Sequence, residues 1–195
     1  MKDVRLADYE QVIGADEVAE IRRLASYLKG AKVLHVSSTA VGGGVAEILA
    51  RLVPLMRDVG LDARWQIFEG NAEFFRVTKA FHNALHGAEE RITPEMYKTF
   101  LDAQEENTSS LQRDCDFYAI HDPQPVGLIE ARDQTHGKWV WRCHIDIADA
   151  DPAVWGFLAS YVSRYHGAIF HLPNYAKELP IPQLLVAPAI DPLHE

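Results

Sequence analysis

Apolar residues recur along this chain with two alternating spacings, and their order predicts a layered α/β fold. In residues 15–29, Val18, Ile21, Leu24, Ala25 and Leu28 follow a helical period, with Asp16 and Glu17 early and Gly30 as the stop. Residues 32–37 are a short apolar strand that runs into Gly42-Gly43-Gly44. Residues 45–59 return to the helical period, with Pro54 inside as a predicted kink and Gly60 at the end. Residues 63–68 alternate between Gly60 and Gly70, which completes a β-α-β unit and implies parallel pairing. Two more helical patterns, 73–86 and 94–107, form an insertion of about 35 residues. Thr93 is the expected N-cap of the second, with Pro94 at its first helical position. Strands at 116–120, 139–143, 168–171 and 184–187 complete the set, with helices at 124–132 and 152–165 between them.

Six strands separated by helices predict one Rossmann-like domain over residues 1–195, a doubly wound, mostly parallel sheet with a helical insertion. Such sheets bind ligands in the crevice outside the C-terminal strand ends. The glycine loop, His121-Asp122 and His144-Ile145-Asp146 each follow a predicted strand, so this fold brings them to one edge of the sheet.

These three loops carry the chemistry. Glycines let backbone approach a ligand closely, and the free N–H groups of a helix start suit a phosphate or a sugar hydroxyl. Neither a G-x-G-x-x-G fingerprint nor a Walker A Lys-Ser/Thr is present, so a turn that binds nothing is the competing reading. Asp122, followed by Pro123, is placed either to grip hydroxyls or to cap the next helix. His144 offers a ring donor or a nearby backbone carbonyl to a substrate, or is a satisfied strand-end histidine. Asp146 is placed to orient His144 or to cap the following segment, and Arg142 is a partner for Asp122 or Asp146. His82 and His86 have i,i+4 spacing, but without H-E-x-x-H or a third ligand no metal is assigned to them. Trp65, Trp139, Trp141 and Trp155 are read as packing residues rather than sugar platforms.

Composition narrows the partners. The chain has 195 residues, 48% of them hydrophobic, and a net charge of -9 with no basic run. That balance disfavours a nucleic-acid backbone or an anionic membrane as partner. Cys115 and Cys143 lie in apolar surroundings without disulfide or zinc spacing, which fits a reducing compartment. The charged start at residues 1–5 and the lack of an apolar run of about 18 residues predict a soluble, cytoplasmic protein.

Five segments in order, Ser37-Ser38-Thr39-Ala40-Val41-Gly42-Gly43-Gly44-Val45-Ala46-Glu47, Leu52-Val53-Pro54-Leu55, Thr78-Lys79-Ala80-Phe81-His82-Asn83, His121-Asp122-Pro123-Gln124-Pro125 and Trp141-Arg142-Cys143-His144-Ile145-Asp146, resemble the trehalose-forming glycosyltransferases of glycosyltransferase family 4. Trehalose phosphorylases are close relatives of that family. The resemblance implies a GT-B architecture in which this chain is the acceptor-side half, with the C-terminal nucleotide-sugar domain outside residues 1–195. Val186-Ala187-Pro188-Ala189-Ile190-Asp191 is similar to the exit toward that second domain, although Ala187-Pro188-Ala189 departs from the usual small polar residue at the hinge. No E-x7-E donor motif is present.

The implied activity is retaining transfer of glucose from a nucleotide-glucose to glucose, forming trehalose, with no activity expected from this half alone. Gly42, Gly43, Gly44 and Val45 are the implied substrate-binding loop, Asp122 the acceptor-binding aspartate, and His144 the histidine beside the donor hexose. His121, Arg142 and Asp146 are expected to support substrate binding. No cofactor is required beyond the nucleotide-glucose donor, and a role for a divalent metal stays open. Expected partners are glucose, trehalose, the nucleotide-sugar and a C-terminal domain or second copy. A phosphorylase and a stand-alone sugar-binding domain are the alternatives.

Overall fold

The computed structural model describes residues 4–193; the charged start at residues 1–3 lies outside them. A 3-10 turn at Leu6–Tyr9 leads through α1 (Glu10–Ile13) and α2 (Ala15–Ser26) to β1 (Lys32–Ser37). Next come α3 (Gly44–Asp58), β2 (Asp62–Ile67), the helical insertion α4 (Ala72–Leu85) and α5 (Pro94–Ser110), then β3 (Phe117–His121). β4 (Lys138–Arg142), α6 (Pro152–Val162), β5 (Gly167–Phe170) and β6 (Gln183–Leu185) complete the order.

All six strands pair in parallel in the order β2-β1-β3-β4-β5-β6. The chain steps outward from β1 to β2 and then returns across β1 to β3. Adjacent connections therefore leave opposite faces between β1 and β3 and open a crevice at their C-terminal ends.

Side-chain alternation in β1 divides the interior. Leu34 and Val36 enter the larger core with Phe68, Phe74, Phe81, Phe100, Ile120, Trp139 and Trp141. The alternate residues His35 and Ser37 turn the other way: His35 Nε2 lies 3.3 Å from Met56 Sδ of α3, and Ser37 Oγ accepts from Trp65 Nε1 at 2.8 Å. Beneath α3, Leu49, Val53 and Ala63 form a smaller cluster. Trp139 and Trp141 are buried in the larger core, and Trp139 stacks on Tyr118 with centroids 4.2 Å apart.

Several boundaries differ from expectation, each for a local reason. Residues 124–132 do not form an α-helix; a 3-10 helix runs over Val126–Gln134 after Pro125. Leu6 and Tyr9 bury their side chains, which orders a first turn too short to show a period. Thr93 occupies the N-cap of α5 without a side-chain cap bond, and Pro94 follows. α5 runs three residues past 107, where Thr108 Oγ1 donates to the Gln104 carbonyl at 2.8 Å and Ser110 Oγ to the Asn107 carbonyl at 3.1 Å. α3 continues through Pro54. Both cysteines are free and buried. Among the described residues no helix is long and apolar enough to cross a membrane.

Candidate functional site

The crevice between β1 and β3 holds a cavity of about 1090 Å³, and its wall is assembled from loops far apart in sequence. Gly42, Gly43, Gly44, Val45, His121, Asp122 and His144 all line it, together with His171 and residues 188–192. Gly42 and Gly43 have φ values of 73° and 109°, which side-chain-bearing residues adopt only with strain. Gly43 is the N-cap of α3 and supplies no side-chain acceptor, so the first-turn N–H groups lack a protein cap on the cavity side. The loop holds its own shape: Thr39 Oγ1 donates to the Val41 carbonyl at 2.6 Å and accepts from the Val41 N–H at 3.2 Å.

Asp122 is the only side-chain-bearing residue with positive φ among the described residues, at 65°. Three bonds hold it there. Its N–H donates to the Arg142 carbonyl at 2.9 Å, its carbonyl accepts from Trp141 Nε1 at 2.9 Å, and its carboxylate Oδ1 accepts from the His144 N–H at 2.7 Å. The carboxylate thus fixes the loop after β4 rather than capping the 3-10 helix. Enclosure by protein raises its pKa from 3.8 to about 7, against the pull of the His144 N–H and the Arg142 charge.

Four histidines step across neighbouring strands behind and beside Asp122. His35 lies within β1, His121 ends β3, and His144 and His171 follow β4 and β5. His35 Nδ1 and His121 Nε2 are 3.0 Å apart, and His121 Nδ1 and His144 Nε2 are 2.8 Å apart. His144 packs edge-on to His171, with centroids 5.2 Å apart. Burial, then the nearby Arg142 charge, takes His35 from 6.5 to about 4 and His144 to about 3. His121 is pushed well below its ordinary value by burial and by its histidine neighbours. All three rings are therefore neutral near pH 7.

Arg142 and Asp146 are not on the cavity wall. Arg142 makes no ion pair with Asp122 or Asp146 among the described residues, and its buried Nε has no hydrogen-bond partner. Burial lowers its pKa, and the Asp122 charge partly restores it. Asp146 Oδ1 accepts from the Ala148 N–H at 2.8 Å, which is the capping role. His86 Nδ1 donates to the His82 carbonyl at 2.8 Å, closing the end of α4. Among the described residues no cluster of three or more His, Cys, Asp or Glu side chains is arranged to hold a metal.

The sequence pattern pointed to neither His35 nor the tail. His35 sits in a run that reads simply as strand, and its polar role depends on facing Met56. His171 obeys the same strand-end rule as His144 and was findable by it. The tail reaches the wall because Asp191 pairs with Arg51 Nε and accepts from Tyr9 Oη, both at 3.0 Å, contacts spanning most of the chain.

With this geometry in place, known proteins give a consistent comparison. Residues 35–177 match the family described as trehalose synthase, N-terminal domain. The chain is 47% identical to trehalose synthase of Thermococcus litoralis over 98% of its own length and 47% of that protein. It is 30% identical to trehalose phosphorylase of Pleurotus pulmonarius over 73% of its length and 21% of that protein. A solved structure described as trehalose-6-phosphate from E. coli bound with UDP-2-fluoro glucose shares the fold, with a TM-score of 0.55 and 16% identity over 74% of this chain and 41% of the other. The chain thus spans about half the length of the curated synthases it matches. The shared pattern reaches from His35 in β1 to the segment beyond β5, taking in the glycine loop, Asp122 and His144, and on that ground the chain belongs to the family of trehalose synthase N-terminal domains.

Proposed function

We propose that this chain forms the acceptor-side half of a retaining, trehalose-forming glycosyltransferase, which transfers glucose from a nucleotide-glucose to free glucose. The observation that carries the reading is a single cavity lined by Gly42, Gly43, Gly44, Asp122 and His144. The glycine loop offers N–H groups to donor phosphate or sugar oxygens, without a side chain in the way. Asp122, whose carboxyl burial pushes toward the neutral form, binds an acceptor hydroxyl. His144, with its backbone fixed by Asp122, faces the donor hexose.

In the proposed reaction the bond between the anomeric carbon and the phosphate oxygen breaks as the acceptor hydroxyl oxygen bonds to that carbon from the same face. The hydroxyl proton passes to the departing phosphate, so no protein base is required. The domain contributes orientation and fixed dipoles, and orientation alone is worth up to about 7–11 kcal/mol in favourable cases. The donor nucleotide is held by a partner domain, which the coverage of about half of each synthase relative supports.

The test is turnover of nucleotide-glucose and glucose by the full-length protein, with NMR of the product. Formation of α,α-trehalose, reduced about 10²-fold or more in Asp122→Ala, is expected. Trehalose cleavage only in the presence of inorganic phosphate would favour the phosphorylase reading that the Pleurotus relative suggests. No transfer in either direction, with sugar binding intact, would favour a binding domain.

A further inference from the structure

The histidine row ends in a sulfur at one side and an unpartnered nitrogen at the other. His35 Nε2 lies 3.3 Å from Met56 Sδ, and a thioether sulfur accepts a hydrogen bond but has none to give. The favourable arrangement therefore puts the proton on His35 Nε2. A neutral imidazole carries one ring proton, so His35 Nδ1 is then an acceptor and His121 Nε2 must donate across the 3.0 Å contact. By the same step His121 Nδ1 accepts, and His144 Nε2 donates across 2.8 Å. That leaves His144 Nδ1 with a lone pair and no proton. In the opposite arrangement a lone pair on His35 Nε2 would face the sulfur, which has no proton to offer, so the sulfur end sets the direction.

We propose that Met56 and His35 are positioning residues that fix the proton of His144 on Nε2, so that His144 meets the cavity ligand as an acceptor and selects a hydroxyl. His144 Nδ1 is buried and has no hydrogen-bond partner, on a residue of the cavity wall. His171, packed edge-on to it, leaves Nε2 in the same condition. A bare ring nitrogen suits a ligand group that brings a proton, as a sugar hydroxyl does and an ionised phosphate oxygen does not. The neutrality of the row, imposed by burial and Arg142, keeps the one-proton-per-ring argument valid near pH 7. The hydroxyl as ligand rests on the proposed function; the proton position rests on the row alone.

The experiment is two-bond 1H–15N correlation NMR of 15N-histidine-labelled protein at neutral pH, which reads the protonated nitrogen of each ring. His35, His121 and His144 are expected as single Nε2–H tautomers, and an Nδ1–H signal from His144 would overturn the proposal. Met56→Leu, close to volume-conserving, is expected to turn the single His144 tautomer into a mixture. An unchanged His144 in that variant would remove Met56 from the scheme. If Met56→Leu does not fold, His121→Phe interrupts the row one step later; the same mixture is expected, and a retained single tautomer would overturn the relay. Saturation with trehalose is expected to shift the His144 Nδ1 resonance while its proton stays on Nε2. A proton moving to Nδ1 on binding would overturn the acceptor role. No shift at any ring would count against the sugar-binding reading and leave the tautomer result standing.

Discussion

Asp122 is held in a left-handed backbone conformation by bonds from three directions, and residues in that region persist only where their surroundings over-determine them. The strain is of the order of 1–3 kcal/mol. The Arg142 carbonyl, the Trp141 indole and the His144 amide supply the constraint, so core packing and cavity geometry meet at one residue. Its raised pKa has a defined consequence. Between 3.8 and about 7 the folded state retains a proton that the unfolded chain has lost, so this group's contribution to stability falls as pH rises through that window. The histidines act oppositely. Their folded values of about 4 and about 3 lie below the ordinary 6.5, so their contribution is lost as pH falls from 6.5. Asp122→Asn keeps an acceptor for the His144 N–H and removes one titration. Denaturant unfolding is expected to show its stability, relative to wild type, improving on the order of 3 kcal/mol from pH 4.5 to pH 8. A pH-independent difference would show that the carboxyl is not raised. The His-Asp-Pro sequence marked Asp122 as a candidate but left a helix cap equally open, because the choice is made by a peptide N–H twenty-two residues away.

At the level of elements, the glycine loop and α3 act as one unit. Gly43 and Gly44 are adjacent, yet only Gly43 has a positive φ, and a Cβ at either would meet no protein atom within 4 Å. The pair therefore separates backbone strain from ligand clearance. Gly43→Ala is expected to destabilise the fold by about 1–3 kcal/mol in thermal or denaturant unfolding. Gly44→Ala is expected to be neutral or stabilising by up to about 1 kcal/mol, since alanine is the better helix former. In the full-length protein Gly44→Ala should still weaken substrate binding, read as a higher KM, because its methyl group stands at the cavity. Unchanged KM would mean that the ligand keeps away from the loop. The helices and strands of this half were legible from period and punctuation, since β1, α3 and β2 have clean patterns between glycines. The 3-10 helix at Val126–Gln134 was not, because propensity does not distinguish it from a short α-helix after Pro125. Nor was the turn at Leu6–Tyr9, which depends on burying two side chains rather than on a period.

Across the whole molecule, the parallel order β2-β1-β3-β4-β5-β6 accounts for the convergence: it creates the crevice between β1 and β3 and brings the ends of β4 and β5 alongside. Strand number and direction were readable from alternation, which made the common rim predictable. The tail was not readable, because residues 188–192 reach the cavity through Asp191, Arg51 and Tyr9, and no local pattern encodes those contacts. Arg51→Ala removes one of these ties and should raise amide exchange rates at Ile190 and Leu193 while leaving the strands protected; unchanged rates would show that the tail is secured without Arg51. On this reading the glycine loop, Asp122 and His144 bind one carbohydrate together. Backbone amide shifts during titration with trehalose test it most directly. Saturable shifts at Gly42, Gly43, Gly44, Asp122 and His144 that fit one dissociation constant are expected. Shifts confined to another face, or separate constants for the loop and for Asp122, would contradict it.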